Sequence, residues 1–232
     1  MPRAGPGPAY PHEVLAVLMR VRDGRLTAMA WQRAESPDQG RWALPGGRLA
    51  EDELLGAALA RKLAEKVDVH RIAHLEQLET RSEPDRDPRG RVLATAYLGL
   101  IPADAQMHLP ADTRWHPVDR LPPMAFDHRS IVRSALARLR AKLSYTNIAF
   151  ALAPDSFTMT ELRDLYTAVL GRPVSATNLN RVLLRRGAVA RTDATTMPAG
   201  GVGRPAALYR FTERRLAVTD EFPVFRPDAG VS

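Results

Sequence analysis

The residues best suited to chemistry lie between Gly46 and Val69. A glycine pair, Gly46-Gly47, opens this segment, and its acidic side chains are joined by basic ones at helical spacing. The charged residues relevant to a binding site are, in chain order, Glu53, Arg61, Lys62, Glu65 and Lys66. A hard cation such as Mg²⁺ needs several oxygen ligands, and an ammonium group supplies none. Lysine side chains can instead bind phosphate directly, so the segment could attract a phosphate-bearing anion without a metal.

The same segment resembles the Nudix box, whose pattern is G-x5-E-x7-R-E-U-x-E-E-x-G-U with U apolar. The positions in register are Gly47, Glu53, Arg61, Leu63, Glu65 and Val69. The preceding Trp42-Ala-Leu-Pro-Gly-Gly47 and the upstream Arg33 are also similar to the family. This resemblance covers about residues 14–143 and implies an α/β fold, a Nudix-like α/β/α sandwich with a mixed sheet.

Three positions depart from the box. Lys62 and Lys66 stand where active members carry glutamates that gather Mg²⁺ or Mn²⁺, and Asp68 replaces a glycine. Two reversed charges repel a metal cation, so we predict no metal, no cofactor and no catalytic residue. Two alternatives stay open. The lysines could be an ordinary exposed pair, or a hydrolase with rearranged ligands, including Asp68, could survive.

A second chemical signal is a concentration of positive charge. The chain has a formal net charge of +7, and the segment from Gly171 to Arg215 holds nine arginines against only Asp193 and Glu213. Arginine pairs well with phosphate oxygens, so this clustering is typical of a nucleic-acid surface. The alternative is a solvated basic face.

Apolar periodicity predicts the elements that position the first site. Short apolar runs predict strands at 14–19, 26–32, 42–44, 74–80 and 92–100, with a hairpin at Asp23-Gly24. Leucines and alanines at i, i+3 and i+4 spacing predict an amphipathic helix over 51–67. A Pro-containing segment, 109–128, then leads into a basic helix from Arg129 to Leu143.

The C-terminal elements follow different signals. Thr158-Met-Thr-Glu161 is a capping box that begins a helix, and Gly171 ends it. Ser175 can cap a second helix that ends at Gly187, and strands at 189–192 and 206–211 follow around a loop holding Arg204. This order predicts a C-terminal winged helix-turn-helix domain. We place the domains at 1–143, with a flexible arm at 1–11, and at 144–232, with a tail at 223–232.

Segments in both halves carry a closer resemblance. Pro84-Asp-Arg-Asp-Pro-Arg-Gly-Arg91, Ala125-Phe-Asp-His128, Leu143-Ser-Tyr-Thr and Gly203-Arg-Pro-Ala-Ala-Leu-Tyr-Arg-Phe211 are similar to the Nudix-related transcriptional regulators of NAD metabolism, the NrtR-like family. The resemblance implies a repressor of NAD biosynthesis or salvage genes that senses ADP-ribose, or a related NAD product, and then releases DNA. The expected ligand-binding residues are Arg33, Leu44, Gly46, Gly47, Arg48, Lys62, Glu65, Lys66, Arg89, Phe126, Asp127 and His128.

The second C-terminal helix supplies the expected DNA contacts. Asn178, Arg181 and Arg185 share its outer side, where asparagine suits adenine and arginine suits guanine in the major groove. The full set of expected DNA-binding residues is Lys142, Tyr145, Thr146, Asn178, Asn180, Arg181, Arg185, Arg186 and Arg204. One winged helix is a small interface, so we predict a homodimer on a pseudo-palindromic operator in double-stranded DNA.

Composition sets the remaining limits. The chain has no cysteine, which excludes disulfides and fits a reducing, cytoplasmic compartment. Met1–Tyr10 lacks the features of a signal peptide, and no apolar run approaches the roughly 18–20 residues of a membrane span. The competing hypothesis is a metal-dependent ADP-ribose pyrophosphatase with an accessory C-terminal domain. An RNA-decapping or housecleaning Nudix enzyme rests on the fold alone.

Overall fold

The structure is a computed structural model that describes residues 9–66, 72–197 and 205–221. For Glu65 and Lys66 it describes the backbone alone. Asp68, Arg204, most of the predicted N-terminal arm and the predicted tail lie outside the described residues.

A seven-stranded mixed sheet forms the first half of the described chain. Its strands are β1 (His12–Arg22), β2 (Arg25–Gln32), β3 (Trp42–Ala43), β4 (Gly46–Arg48), β5 (His74–Arg81), β6 (Leu93–Leu100) and β7 (Thr113–Pro117). The order across the sheet is β3-β2-β1-β6-β5, while β4 pairs with β1 and β7 with β2. The β1–β6 pair is parallel and the other pairs are antiparallel.

The central strand explains the layering. β1 buries six consecutive residues, from Val14 to Met19, as a strand covered on both faces does. Val14, Ala16 and Leu18 belong to the cluster that contains helix α1 (Leu55–Lys66). The alternate residues belong to the cluster that contains helix α2 (His128–Tyr145). Two helices on opposite faces of a mixed sheet confirm the predicted α/β/α sandwich.

Several predicted boundaries were wrong. Helix α1 begins at Leu55 rather than at residue 51, and the adjoining Leu54 is 81% exposed instead of buried. Strands β4 and β7 were not predicted from the sequence. Strand β4 is possible because Gly46 has no side chain: a Cβ there would lie 2.1 Å from the Val14 carbonyl oxygen. Strand β7 was hidden in the Pro-containing segment.

The C-terminal half has the order of a winged helix. It contains β8 (Phe157–Thr158), α3 (Met159–Leu170), α4 (Ala176–Arg185), β9 (Val189–Thr196) and β10 (Ala206–Phe211). A three-stranded sheet forms in the order β8-β10-β9, one strand more than predicted. The capping box is confirmed, because Thr158 and Glu161 exchange both hydrogen bonds. Gly171 ends α3 with a φ of 70°, a conformation that favours glycine.

The two halves share one apolar core. Helix α3 packs against β1 and β2, and a single buried cluster runs from Met19 and Leu26 to Phe157, Leu162 and Leu165. Helix α2 belongs to the same cluster and continues two residues beyond the domain boundary predicted near Leu143. No helix in the described ranges is long and apolar enough to cross a membrane.

Candidate nucleotide pocket and nucleic-acid interface

A cavity of about 230 Å³ opens beside the N-terminus of α2. Residues from β1, β2, β4, the loop before β6 and the segment before α2 line it. Seven of the predicted ligand-binding residues are among the lining residues: Arg33, Leu44, Gly46, Gly47, Arg48, Arg89 and Phe126. The fold thus brings together positions that are far apart in the sequence.

Phe126 is an aromatic residue in the wall of this cavity. The guanidinium carbons of Arg33 and Arg89 lie 4.8 and 5.7 Å from the centroid of its ring, within the range of cation–π contacts. Its backbone has a φ of 50°, which is unfavourable for a bulky residue. The Phe126 N–H donates to Asp38 Oδ2 at 2.9 Å, which stabilises this conformation. Sequence reasoning missed Asp38 because the contact spans 88 residues.

His128 lies behind the cavity rather than in it. The residue is 3% exposed, and its Nδ1 accepts a hydrogen bond from the Leu44 N–H at 3.0 Å. Burial lowers the pKa of His128 to about 4, so the ring is neutral at pH 7. The prediction that His128 contacts the ligand therefore needs correction. The ring supports the backbone of Leu44, which does line the cavity.

Asp127 forms an ion pair with the buried Arg86. Arg86 donates from Nε to Asp127 Oδ2 at 3.2 Å and from Nη2 to Oδ1 at 2.9 Å. The Arg86 side chain is 2% exposed and also lies 3.8 Å from Glu13 Oε2. Asp127 and Arg86 line a second depression that shares Phe126 with the first cavity. Asp127 thus lies beside the first cavity and fixes the buried arginine.

The charged residues of the Nudix-box segment contact one another and Gly47. Arg61 donates to both carboxylate oxygens of Glu53, with Nε 2.7 Å from Oε1. This side-chain hydrogen bonding is the main reason why the pKa of Glu53 lies below its ordinary value. The aliphatic chain of Lys62 packs against Gly47, since a Cβ on that glycine would lie 2.8 Å from Lys62 Cδ.

This geometry does not fit a metal pair. The oxygens of Glu53 that a cation would need are engaged by Arg61. Lys62 places an ammonium-bearing side chain beside Gly47. Among the described residues, no group of three or more potential ligand side chains could hold a metal ion. The predicted ligand contacts of Glu65 and Lys66 concern side chains outside the description and stay predictions.

Helix α4 presents a polar outer side. Asn178, Arg181 and Arg185 are exposed, while Leu179 and Leu183 are buried against the core. The Ser175 hydroxyl accepts from the Asn178 N–H, which confirms the predicted N-cap. Arg181 Nη2 donates to Asn178 Oδ1 at 2.8 Å. The prediction that these three side chains contact DNA stays a prediction, and all three are accessible on α4.

Two basic residues predicted to contact DNA are instead held in ion pairs. Arg186 Nη2 lies 2.6 Å from Asp220 Oδ2, and their side chains are 13% and 6% exposed. Lys142 Nζ lies 3.0 Å from Glu76 Oε2, with the lysine side chain 14% exposed. Both basic groups are therefore engaged within the fold, because turning either toward DNA would take it away from a shielded carboxylate.

Polar residues near these pairs also face inward. Thr146 is 2% exposed, and its hydroxyl donates to the Lys142 carbonyl oxygen at 2.7 Å. Asn180 is half-buried, and its Oδ1 is shielded from solvent. Tyr145 is half-buried, and its carbonyl oxygen accepts from the Thr219 and Asp220 amides. The expected contact between Thr146 and the DNA phosphate backbone is thus contradicted, and Asn180 does not expose its side-chain oxygen for a contact in a DNA groove.

Comparisons with known proteins agree with this arrangement. Residues 10–135 match the NUDIX domain family, and residues 149–211 match the NrtR DNA-binding winged helix domain. The fold and the two sites therefore define a Nudix domain protein with a C-terminal winged helix DNA-binding domain.

Individual relatives extend across both halves. The chain is 34% identical over 212 residues to the ADPR responsive transcriptional repressor NtrR of Acinetobacter baylyi, covering 87% of this chain and 83% of the relative. The crystal structure of Shewanella oneidensis NrtR with a 27mer DNA matches with a TM-score of 0.75 and 31% identity, over 86% of this chain and 92% of that one. The protein belongs to the NrtR family.

The first half has a further relative of its own. The NUDIX domain of Shewanella oneidensis NrtR, solved with ADP ribose, matches with a TM-score of 0.52 and 34% identity. The match covers 59% of this chain and 94% of that domain.

Proposed function

We propose that this protein is a transcriptional repressor that binds operator DNA through α4 and releases it when ADP-ribose, or a related NAD product, occupies the cavity at Phe126. The observation that carries the proposal is the position of α2. Phe126, which precedes its first turn, lines the cavity, and the C-terminal part of the helix contacts α3 of the winged helix through Arg140. The genes for NAD biosynthesis or salvage are the proposed targets, which places the protein in the cytoplasm.

Charge and shape at the cavity support a nucleotide diphosphate. Arg33, Arg48 and Arg89 line it, and Lys62 packs against the neighbouring Gly47. These cations can neutralise a diphosphate without a metal. The Phe126 ring offers an aromatic surface at the same cavity, of the kind on which a base can stack.

The same residues support a sensor that does not hydrolyse its ligand. Hydrolysis of a diphosphate in this family depends on glutamates that hold cations, and two of those positions are Lys62 and Lys66. Of the acids that remain, Glu53 is engaged by Arg61. The alternative, an ADP-ribose pyrophosphatase, is favoured by one observation, which is the Nudix domain itself.

Coupling between the sites follows from the contacts of α2. At its start, Asp127 and His128 connect it to Arg86 and Leu44 of the cavity region. Near its end, Arg140 Nε donates to the Val169 carbonyl oxygen of α3 at 2.8 Å. A ligand that favours one position of α2 therefore biases the helix-turn-helix as well. We propose that the DNA-bound form is a homodimer on a pseudo-palindrome.

The test pairs a DNA-binding titration with a hydrolysis assay at one fixed salt concentration. We expect ADP-ribose to dissociate the protein from its operator and to remain intact in excess Mg²⁺ or Mn²⁺. The Arg181→Ala variant should bind its operator about tenfold to a hundredfold more weakly and keep ADP-ribose binding. Rapid hydrolysis without sequence-specific DNA binding would instead establish the pyrophosphatase, and unchanged DNA affinity at saturating ADP-ribose would exclude the inducer role.

A further inference from the structure

The contact between Asn178 and Arg181 assigns different roles to two neighbouring residues of α4. Both are exposed on the outer side of the helix, three residues apart. Residues at this spacing are neighbours on a helix surface. Arg181 Nη2 donates to Asn178 Oδ1 at 2.8 Å, so the asparagine side chain is already engaged in the absence of DNA.

The backbone of Asn178 is also fixed. It occupies the third position of α4, where its N–H donates to the N-cap hydroxyl of Ser175 at 3.3 Å. The Asn178 side chain, which accepts from Arg181, therefore belongs to the capped first turn of α4. A capped first turn is one of the better-ordered parts of a helix end. An arginine whose guanidinium is already held by Asn178 loses less side-chain conformational freedom when it binds DNA.

The hydrogen-bonding patterns of adenine and guanine distinguish a base contact by Asn178 from a base contact by Arg181. An asparagine that specifies adenine uses its oxygen and its amide nitrogen together. An arginine that specifies guanine uses two of its five N–H donors on O6 and N7, so a third can stay on Asn178. The observed hydrogen bond is thus compatible with guanine contact by Arg181 and competes with adenine contact by Asn178.

We propose that Asn178 is a positioning residue that holds Arg181 for a guanine in the major groove, and that it does not itself specify a base. This inference rests on the proposed DNA-binding function. Arg185 provides an internal comparison, because it is exposed on the same helix and its side chain makes no hydrogen bond or ion pair within the described residues.

The experiment begins with selection of a preferred duplex by the full-length wild-type protein from a random library. Affinities are then measured for a panel in which each base pair of that duplex is replaced in turn. Arg181→Ala identifies the base pair that depends on Arg181, with an expected loss of discrimination of about tenfold to a hundredfold there. Arg185→Ala identifies a second position in the same way.

Asn178→Ala should lose discrimination at the Arg181 base pair, by about three- to tenfold, and leave the Arg185 position unchanged. The double variant with Arg181→Ala should be no worse at that pair than Arg181→Ala alone. The Asn178→Asp variant keeps the acceptor oxygen and lacks the amide donor, so it should keep the guanine preference even if its overall affinity falls.

Other outcomes overturn the inference. Loss of discrimination at an A·T pair in Asn178→Ala, additive with the effect of Arg181→Ala, would make Asn178 an adenine contact. Loss of the guanine preference in Asn178→Asp would exclude its role as acceptor for Arg181. If the wild type selects no sequence, the proposed function itself fails and this inference fails with it. The N-cap does not confound the test, because Asn178→Ala keeps the backbone N–H that Ser175 accepts.

Discussion

At the scale of single residues, buried and half-buried polar groups next to the cavity hold its wall in place. His128 supports Leu44, Arg86 is held by Asp127, and Asp38 accepts from Phe126. Each bond joins segments that are distant in the chain. Because an unpaired buried polar group is destabilising, these bonds restrict the wall to one arrangement.

His128 makes stability depend on pH. Its pKa is about 4 in the folded protein and about 6.5 in an unfolded chain. Between these values the unfolded chain binds a proton that the folded chain does not, so stability is full above pH 6.5 and falls as the pH approaches 4. The loss attributable to His128 is up to about 3 kcal/mol. Asp127, Arg86, Arg33 and Asp38 are the charged groups that influence it.

Urea unfolding at pH 7.5 and pH 5 measures this effect. The His128→Gln variant is the control, because glutamine can accept from the Leu44 N–H and does not titrate in this range. We expect the wild type to lose more stability than His128→Gln between the two pH values. Parallel losses in both proteins would show that other groups cause the pH dependence.

Asp38 should affect ligand affinity although it does not line the cavity. Asp38→Ala removes the acceptor for the Phe126 N–H, which leaves the unfavourable φ of 50° without support. We expect ADP-ribose to bind about tenfold more weakly, as measured by calorimetry. Asp38→Asn keeps an acceptor oxygen and sacrifices only the exposed ion pair with Arg41, so its affinity should stay near that of the wild type. Equal weakening in both variants would point to charge instead.

At the scale of secondary structure, α2 is tied on both sides. Toward β5, Arg138 donates to the Leu78 carbonyl oxygen and Lys142 pairs with Glu76. Toward α3, Arg140 donates to the Val169 carbonyl oxygen, beside the turn at Gly171. The helix thus contacts the sensor sheet and the helix-turn-helix within a few residues.

Arg140→Ala should uncouple the two sites. The substitution removes a contact to α3 and none at the cavity, so we expect unchanged ADP-ribose affinity for the free protein and a smaller effect of ADP-ribose on DNA affinity. Coupling between sites is reciprocal, so DNA should also affect ADP-ribose binding less. Arg133→Ala, at an exposed position of the same helix, is the matched control. A coupling ratio identical to that of the wild type would exclude Arg140 as the connection.

At the scale of the whole molecule, the shared core predicts joint unfolding. Leu165 of α3 is 5% exposed and belongs to the cluster that includes Met19 and Leu26 of the sheet. Two domains joined by a flexible linker would each have a core of their own. Here the winged helix and the sheet bury apolar surface against one another.

The three tryptophans allow a direct test, because Trp31, Trp42 and Trp115 all lie in the first half. Leu165→Ala should lower stability by about 2–5 kcal/mol and shift the tryptophan-detected transition together with the transition in circular dichroism. Thr160→Ala, exposed on α3, should leave both transitions nearly unchanged. A Leu165→Ala protein whose tryptophan transition stays in place would show that the halves unfold separately.

Features that depend on nearby residues could be predicted from the sequence, and features that depend on residues far apart in the chain could not. Local signals sufficed for the capping box at Thr158, the Nudix-box register and most strands, because short-range spacing encodes them. The roles of Arg186 and Lys142 could not be predicted, because their acidic partners lie 34 and 66 residues away. The same holds for Arg86, whose burial depends on Asp127, 41 residues later. Basic residues near a DNA surface look alike in sequence until the fold assigns their counter-ions.

The chain has so few lysines that they can serve as specific sites for isotope labelling. It has only three lysines: Lys142 is held by Glu76 and is 14% exposed, and Lys62 and Lys66 both lie on α1 in the Nudix box. Reductive methylation of amines, with isotope-enriched formaldehyde and a borohydride as the reductant, would therefore introduce very few signals besides that of the amino terminus. Two of them would report from the helix proposed to bind the diphosphate. Occupancy of the proposed site could then be followed by nuclear magnetic resonance from Lys62 and Lys66.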